Sequence, residues 1–227
     1  MKRPRILLAD DHRIVAEGLR SLLEPEFELV GIVEDGRALL AAAEKLRPDV
    51  IVADVSMPLL NGIDAVRQIK KTHKDIKVVF LTMHPDVTYA ASAFEAGALG
   101  YVLKHSAPSE LVTAIQSALR GKTYVTPLIA GELMQFHRER PNHRDELIRL
   151  TPRQREVLQL LAEGCAAKEI AAILNISPRT VEFHKYRIMD DLGLKTTADL
   201  IQYAIRHGIT GQSFIPPINP YGTSDGK

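Results

Sequence analysis

A chain of 227 residues with 45% hydrophobic and 25% charged positions has the composition of an ordinary globular protein. A formal net charge of +1 and a lone cysteine, Cys165, exclude a strongly basic nucleic-acid coat and an internal disulfide framework. No apolar stretch approaches the ~18 residues of a membrane helix, and the apolar run after Lys2, Arg3 and Arg5 is too short for a signal peptide, so the expected compartment is a reducing cytoplasm.

The first 120 residues alternate between two patterns. Strand-like runs occupy 5–9 (RILLA), 27–33 (FELVGIV), 49–53 (DVIVA), 76–81 (IKVVFL) and 98–103 (ALGYVL). Helical spacing fills the intervals at 13–23, 38–46, 62–71 and 88–97, and again at 109–119. Short apolar strands separated by helices predict a parallel sheet covered on both faces. Five such units predict an α/β domain with a five-stranded, doubly wound, flavodoxin-like sheet over residues 1–121.

The pattern then changes. Residues 122–149 read as a helical linker, with a helix near 127–137 and a charged, Pro- and Asn-containing stretch after it. From Thr151 the chain is helical again. The segment TPRQ combines an N-cap Thr, Pro at the first helical position and Gln at N3, and its helix stops at Gly164. A second helix ends near Asn175. A third opens with Ser177 as N-cap and Pro178 at N1, and a fourth covers about 197–206. Residues 150–208 therefore form a small all-α, four-helix domain, and the Pro-, Gly- and Ser-rich tail 209–227 reads as disordered.

In an open α/β sheet, ligands bind at the carboxyl ends of the strands. Those ends carry Asp10 and Asp11 (first strand), Asp54 (third), Thr82 (fourth) and Lys104 (fifth). Taken singly, each residue has an alternative as a helix cap. Together, clustered carboxylates call for a cation, and hard oxygen ligands suit Mg2+. A carboxylate beside that ion can attack a phosphoryl group and become an aspartyl phosphate, with Lys104 neutralising charge on the transferring group.

The segments ADDH, DVSMPLLNG, LTMH and GYVLK resemble the receiver domain of bacterial two-component response regulators over residues 3–120. The resemblance implies that Asp54 is the phosphoacceptor. It makes Asp11 a direct Mg2+ ligand, Asp10 a ligand through a metal-bound water, and Ser56 a ligand through its backbone carbonyl. It pairs Lys104 with the phosphate and assigns Tyr101 as an aromatic that rotates into space vacated by Thr82. Two features stand apart from the usual pattern. Met83 follows Thr82 where a small residue is usual, so it is expected to crowd the phosphate. Ser56 and His84 occupy the two positions that tune hydrolysis in the family.

The helices joined by LNISP make a helix-turn-helix candidate. Along the second of them, Val181, Ile188 and Leu192 share a face that should pack inward. Arg179, Glu182, Phe183, Tyr186 and Asp190 fall opposite, with Lys185 and Arg187 at the margins. That is the layout of a recognition helix, with a strip for base edges and cations for phosphates. Residues 151–206 resemble the LuxR-type helix-turn-helix domain through LTPRQREVL, KEIAAILNIS and RTVEFHKYRIMDDLGLKTTADL. By that resemblance Glu182, Phe183 and Tyr186 face bases, and Arg179, Lys185 and Arg187 contact backbone, with Lys168 and Thr180 as further backbone candidates. Glu182 stands where the family more often carries a basic residue; it repels phosphate but can accept from cytosine N4. Leu200, Ile201 and Ala204 of the last helix serve either a dimer contact or packing within the domain.

Joined, the two resemblances imply a response regulator of the NarL/FixJ type. Its phosphate comes from a sensor histidine kinase, and its phosphorylated homodimer binds double-stranded promoter DNA. An aspartyl-phosphate phosphatase and a protein-binding adaptor are the alternatives. The residues supply no second positioned acid, so turnover of an external substrate is not expected.

Overall fold

A computed structural model describes residues 3–139 and 150–210. Strands β1 (Arg5–Ala9), β2 (Glu28–Val33), β3 (Val50–Ala53), β4 (Lys77–Thr82) and β5 (Gly100–Leu103) alternate with α1 (Arg13–Leu23), α2 (Gly36–Leu46), α3 (Gly62–Thr72), α4 (Val87–Glu95) and α5 (Ala107–Leu119). All strand pairs are parallel. The sheet is six-stranded, not five-stranded as expected, because β6 (Tyr124–Val125) extends it to the order β2-β1-β3-β4-β5-β6. Two residues carry no readable period. They join through the backbone, Tyr124 N donating to Leu99 O at 2.8 Å and Thr126 N to Tyr101 O at 3.0 Å.

The pleat divides the strand side chains between two cores. Leu7, Ile51, Val78 and Phe80 face the layer covered by α2, α3 and α4. Ile6, Leu8, Val50, Val79 and Val102 face the layer covered by α1 and α5. Burial on both faces explains why these strands are continuously apolar rather than alternating. The loop from β3 to α3 closes tightly beneath Asp54. A Cβ on Gly62 would stand 2.0 Å from Asp54 O, so only glycine permits this approach.

Helix α6 (Pro127–Glu139) buries Ile129 and Leu133 against the α4 side. The rest of the expected linker, 140–149, lies outside the described residues. Four helices follow: α7 (Pro152–Ala162), α8 (Ala167–Leu174), α9 (Pro178–Leu192) and α10 (Thr197–Arg206). They enclose a third core built on Val157, Leu160, Ile170, Val181, Ile188, Leu200 and Ala204. Of the tail expected to be disordered, Ile209 and Thr210 are instead buried, and 211–227 lie outside the described residues. Among the described residues no helix is long and apolar enough to cross a membrane.

Candidate functional site

The carboxyl edge of the sheet gathers the expected residues. Asp10, Asp54 and Thr82 are buried there, and Asp11 is more open. Lys104 reaches in from the end of β5, its Nζ lying 2.7 Å from Asp54 Oδ2 and 2.8 Å from Asp10 Oδ2. Ser56 N donates to Asp54 Oδ1 at 3.2 Å, and His12 N donates to Asp10 Oδ1 at 2.9 Å. His12 Nδ1 also stands 2.8 Å from Asp11 Oδ1.

Burial pushes the Asp54 carboxyl up to about 6; Lys104 pulls it down, and Asp10 adds to the rise. Burial also pulls the Lys104 ammonium down, but Asp54 and Asp10 outweigh it, and it titrates above the ordinary lysine value. This has a measurable consequence. Between the ordinary aspartate value of 3.8 and about 6, the folded chain holds a proton that the unfolded chain has released. Stability therefore falls as pH rises through that window, and the full penalty is present above it. A difference of that size corresponds to about 2–3 kcal/mol. In chelator, Asp54→Asn should be more stable than wild type by about 2 kcal/mol at pH 7, and the gap should close toward pH 4. Thermal melts at the two pH values check this, and an equal gap at both would contradict it.

Whether these residues suit a cation is decided by their spare oxygen capacity. Asp10 Oδ2 is buried, and Lys104 lies beside it without the alignment of a hydrogen bond. Asp10, Asp11, His12 and Asp54 each place a ligand atom within 4.8 Å of the others. A buried carboxylate oxygen with free lone pairs amid further acidic ligands fits a hard divalent ion.

The second cluster lies on α9. Its N-cap Ser177 accepts from Thr180 N at 3.1 Å, and Asn175 at the end of α8 makes the turn with φ +52°. Val181 and Ile188 are fully buried, with Leu192 packed beside them. On the opposite side Phe183 and Tyr186 are 60% and 65% exposed. Arg179 and Arg187 are exposed, and Glu182 and Lys185 are half-buried. Arg187 reaches Asp191 only at 3.9 Å, a weak surface pair. Lys168 is exposed near the start of α8, and Thr180 is half-buried with its hydroxyl 2.8 Å from Ser177 Oγ.

Residues 6–116 match the family model of the response regulator receiver domain, and 149–204 match that of bacterial regulatory proteins of the luxR family. The transcriptional regulatory protein MctR of Rhizobium johnstonii is 36% identical over 92% of this chain and 96% of its own length. The response regulator UvrY of Escherichia coli is 32% identical over 90% and 94%. A solved structure of RcsB from Salmonella enterica serovar Typhimurium, bound to promoter DNA in the presence of beryllofluoride, superposes with a TM-score of 0.59. It is 30% identical, covering 92% of this chain and all of that one. The chain belongs to the NarL/FixJ-type response regulators.

Within this response regulator, Tyr101 lies beside the site on β5. The ring is already fully buried, on the same side of the sheet as Phe80. Its hydroxyl donates to His84 O at 2.9 Å, the polar partner that makes complete burial acceptable. Met83 is 66% exposed and points to solvent. Leu200 and Ala204 are spent on the core of their own domain, leaving Ile201 partly open on that stretch of α10.

His84 bridges the site to α4. Its Nε2 and Ser56 Oγ are 2.8 Å apart, its backbone N donates to Thr82 Oγ1 at 3.2 Å, and its ring stacks on Tyr89 at 4.6 Å. Burial holds its imidazole below the ordinary histidine value. Sequence reasoning singled out neither His12 beside the acids nor Tyr89 beneath His84. The ADDH segment carried a signal for the first; a single Tyr on a helix carries none for the second.

Proposed function

We propose that this transcriptional response regulator is switched by phosphorylation of Asp54. A sensor histidine kinase is the donor, and the phosphorylated chain binds double-stranded promoter DNA as a homodimer in the cytoplasm. The observation that carries the reading is the placement of Lys104 between Asp54 and Asp10. It sets a cation against a nucleophilic carboxylate at the mouth of the sheet.

Asp10, Asp11, Asp54 and the Ser56 carbonyl would hold Mg2+, and when bound the ion supplies positive charge for the oxygens of the transferring group. An Asp54 oxygen forms the new O–P bond as the donor's N–P bond breaks, which requires the ionised carboxylate. Lys104 then pairs with a phosphate oxygen. The Thr82 hydroxyl, now an acceptor from His84 N, donates to another. That exchange disturbs the backbone that carries His84 O and so the anchor of the Tyr101 hydroxyl. The added charge of about −1.5 to −2 thus reaches β5 and α4. Slow hydrolysis of its own acyl phosphate is the only turnover proposed.

The proposed shift is one of populations. Titrating a promoter-length duplex with the full chain, with and without Mg2+ and beryllofluoride, should give at least about tenfold tighter binding in their presence. Equal affinity under both conditions would count against phosphorylation control.

A further inference from the structure

Lys104 has to be held from its backbone. Its Nζ lies on Asp54 and Asp10, but a phosphoryl group arriving on Asp54 takes over that ammonium. Those ion pairs therefore cannot fix the lysine through the transfer. The strand that carries it, β5, ends at Leu103, and the chain turns at once through Lys104–Ser106. On one side Leu103 is paired with Thr82 of β4. On the other side the short β6 pairs only with Gly100 and Tyr101 and stops before reaching Leu103.

Thr126 bridges that gap. Its backbone N donates to Tyr101 O at 3.0 Å, as a strand residue would. Its carbonyl does not continue the ladder, because it accepts from Ile129 N at 3.1 Å at the start of α6. The hydroxyl stands in for it and accepts from Leu103 N at 3.1 Å. Thr126 and Leu103 are both buried, where an amide left without a partner is costly. Glu110 on α5 sets the direction of this bond by accepting from Thr126 Oγ1 at 2.7 Å. A carboxylate can only accept, so the single hydroxyl hydrogen goes to Glu110 and a lone pair is left for Leu103 N. A hydrogen-bonded chain thus runs from α5, through the residue that follows β6, to the strand end bearing Lys104.

We infer that Thr126, oriented by Glu110, is the positioning residue that fixes Lys104 for the incoming phosphoryl group. The pocket is then completed by a residue from beyond the fifth helix of the receiver domain. The inference rests on Asp54 as phosphoacceptor, and neither Thr126 nor Glu110 touches a reacting atom. Loss of the hydroxyl frees the end of β5 and with it the ammonium that meets the phosphate oxygens. A cation in the pocket responds in the opposite sense. Lys104 repels it, so a lysine held less firmly leaves the acids at least as open to Mg2+.

The test uses the full-length chain. Thr126→Val keeps the branching and removes the hydroxyl, and Thr126→Ser keeps the hydroxyl. Glu110→Ala, at a half-buried position, serves if the valine unfolds the receiver domain. Calorimetry measures Mg2+ alone, then beryllofluoride at saturating Mg2+. Thr126→Val and Glu110→Ala should bind beryllofluoride at least about threefold more weakly than wild type, the worth of one hydrogen bond, while binding Mg2+ alone no more weakly. Thr126→Ser should restore the beryllofluoride affinity. Hydrogen exchange of the Leu103 amide should speed up in the two weakened variants and not in Thr126→Ser. A merely structural role would lower thermal stability and weaken both ligands together, or neither, and either result overturns the assignment. So does a serine that fails to restore binding. No beryllofluoride binding by wild type instead removes the phosphoacceptor reading on which the inference rests.

Discussion

Asp54→Asn should fold and yet take up no phosphoryl group from a kinase or a small-molecule donor. Asparagine matches the shape of the carboxylate and keeps an oxygen for Ser56 N. It lacks the anionic nucleophile that the transfer requires. Its neutral amide also loses the charge-assisted bond from Lys104 Nζ, 2.7 Å away in wild type, but Asp10 still holds the lysine at 2.8 Å. Incorporation of labelled phosphate should drop to background, at least about a hundredfold, comparable with losses from removing an essential nucleophile. The response of DNA affinity to a phosphate donor should vanish with it. Retained incorporation at wild-type rate would move the acceptor elsewhere and undo the assignment.

The second large effect is expected on α9. Lys185→Ala combined with Arg187→Ala should weaken DNA binding by about tenfold or more at moderate salt, equally for promoter and scrambled duplexes. Both cations flank the exposed Phe183 and Tyr186 strip, and Arg187 is only loosely paired with Asp191. Phosphate contacts set affinity without reading sequence. Removing two per copy should therefore flatten the dependence of log affinity on log salt by about two per protomer. Phe183→Ala should instead change the preference between duplexes more than the salt slope. Anisotropy titrations at several salt concentrations separate the two behaviours. An unchanged slope, with loss of a protein partner, would favour an adaptor whose helices bind protein.

The strands and helices of the α/β half were legible because their signals are local. Runs such as RILLA and KVVFL are apolar on both faces, and each helix between them carries its own stripe. The acidic site was legible for a related reason. Parallel strands must end at one edge, so residues following separate strands are brought together by topology alone. On α9 the N-cap Ser177, Pro178 and the inward spacing of Val181 and Ile188 marked the helix and its free face.

What stayed hidden depends on partners far along the chain. Tyr124 and Val125 form a strand only because the edge of β5 is open to them. Tyr101 lies inward because a carbonyl seventeen residues earlier accepts its hydroxyl. Gln159 looks in the sequence like one polar residue on a helix; its buried amide is satisfied by backbone groups 98 and 102 positions away. By itself the sequence determined the two domains, the acid pocket and α9 with its open aromatic face, since period, capping and strand order are properties of short segments. Only the tertiary structure decided how α7 seats on the Asp54 loop and why Leu59 holds a left-handed backbone, since those depend on which surfaces meet once both domains have folded.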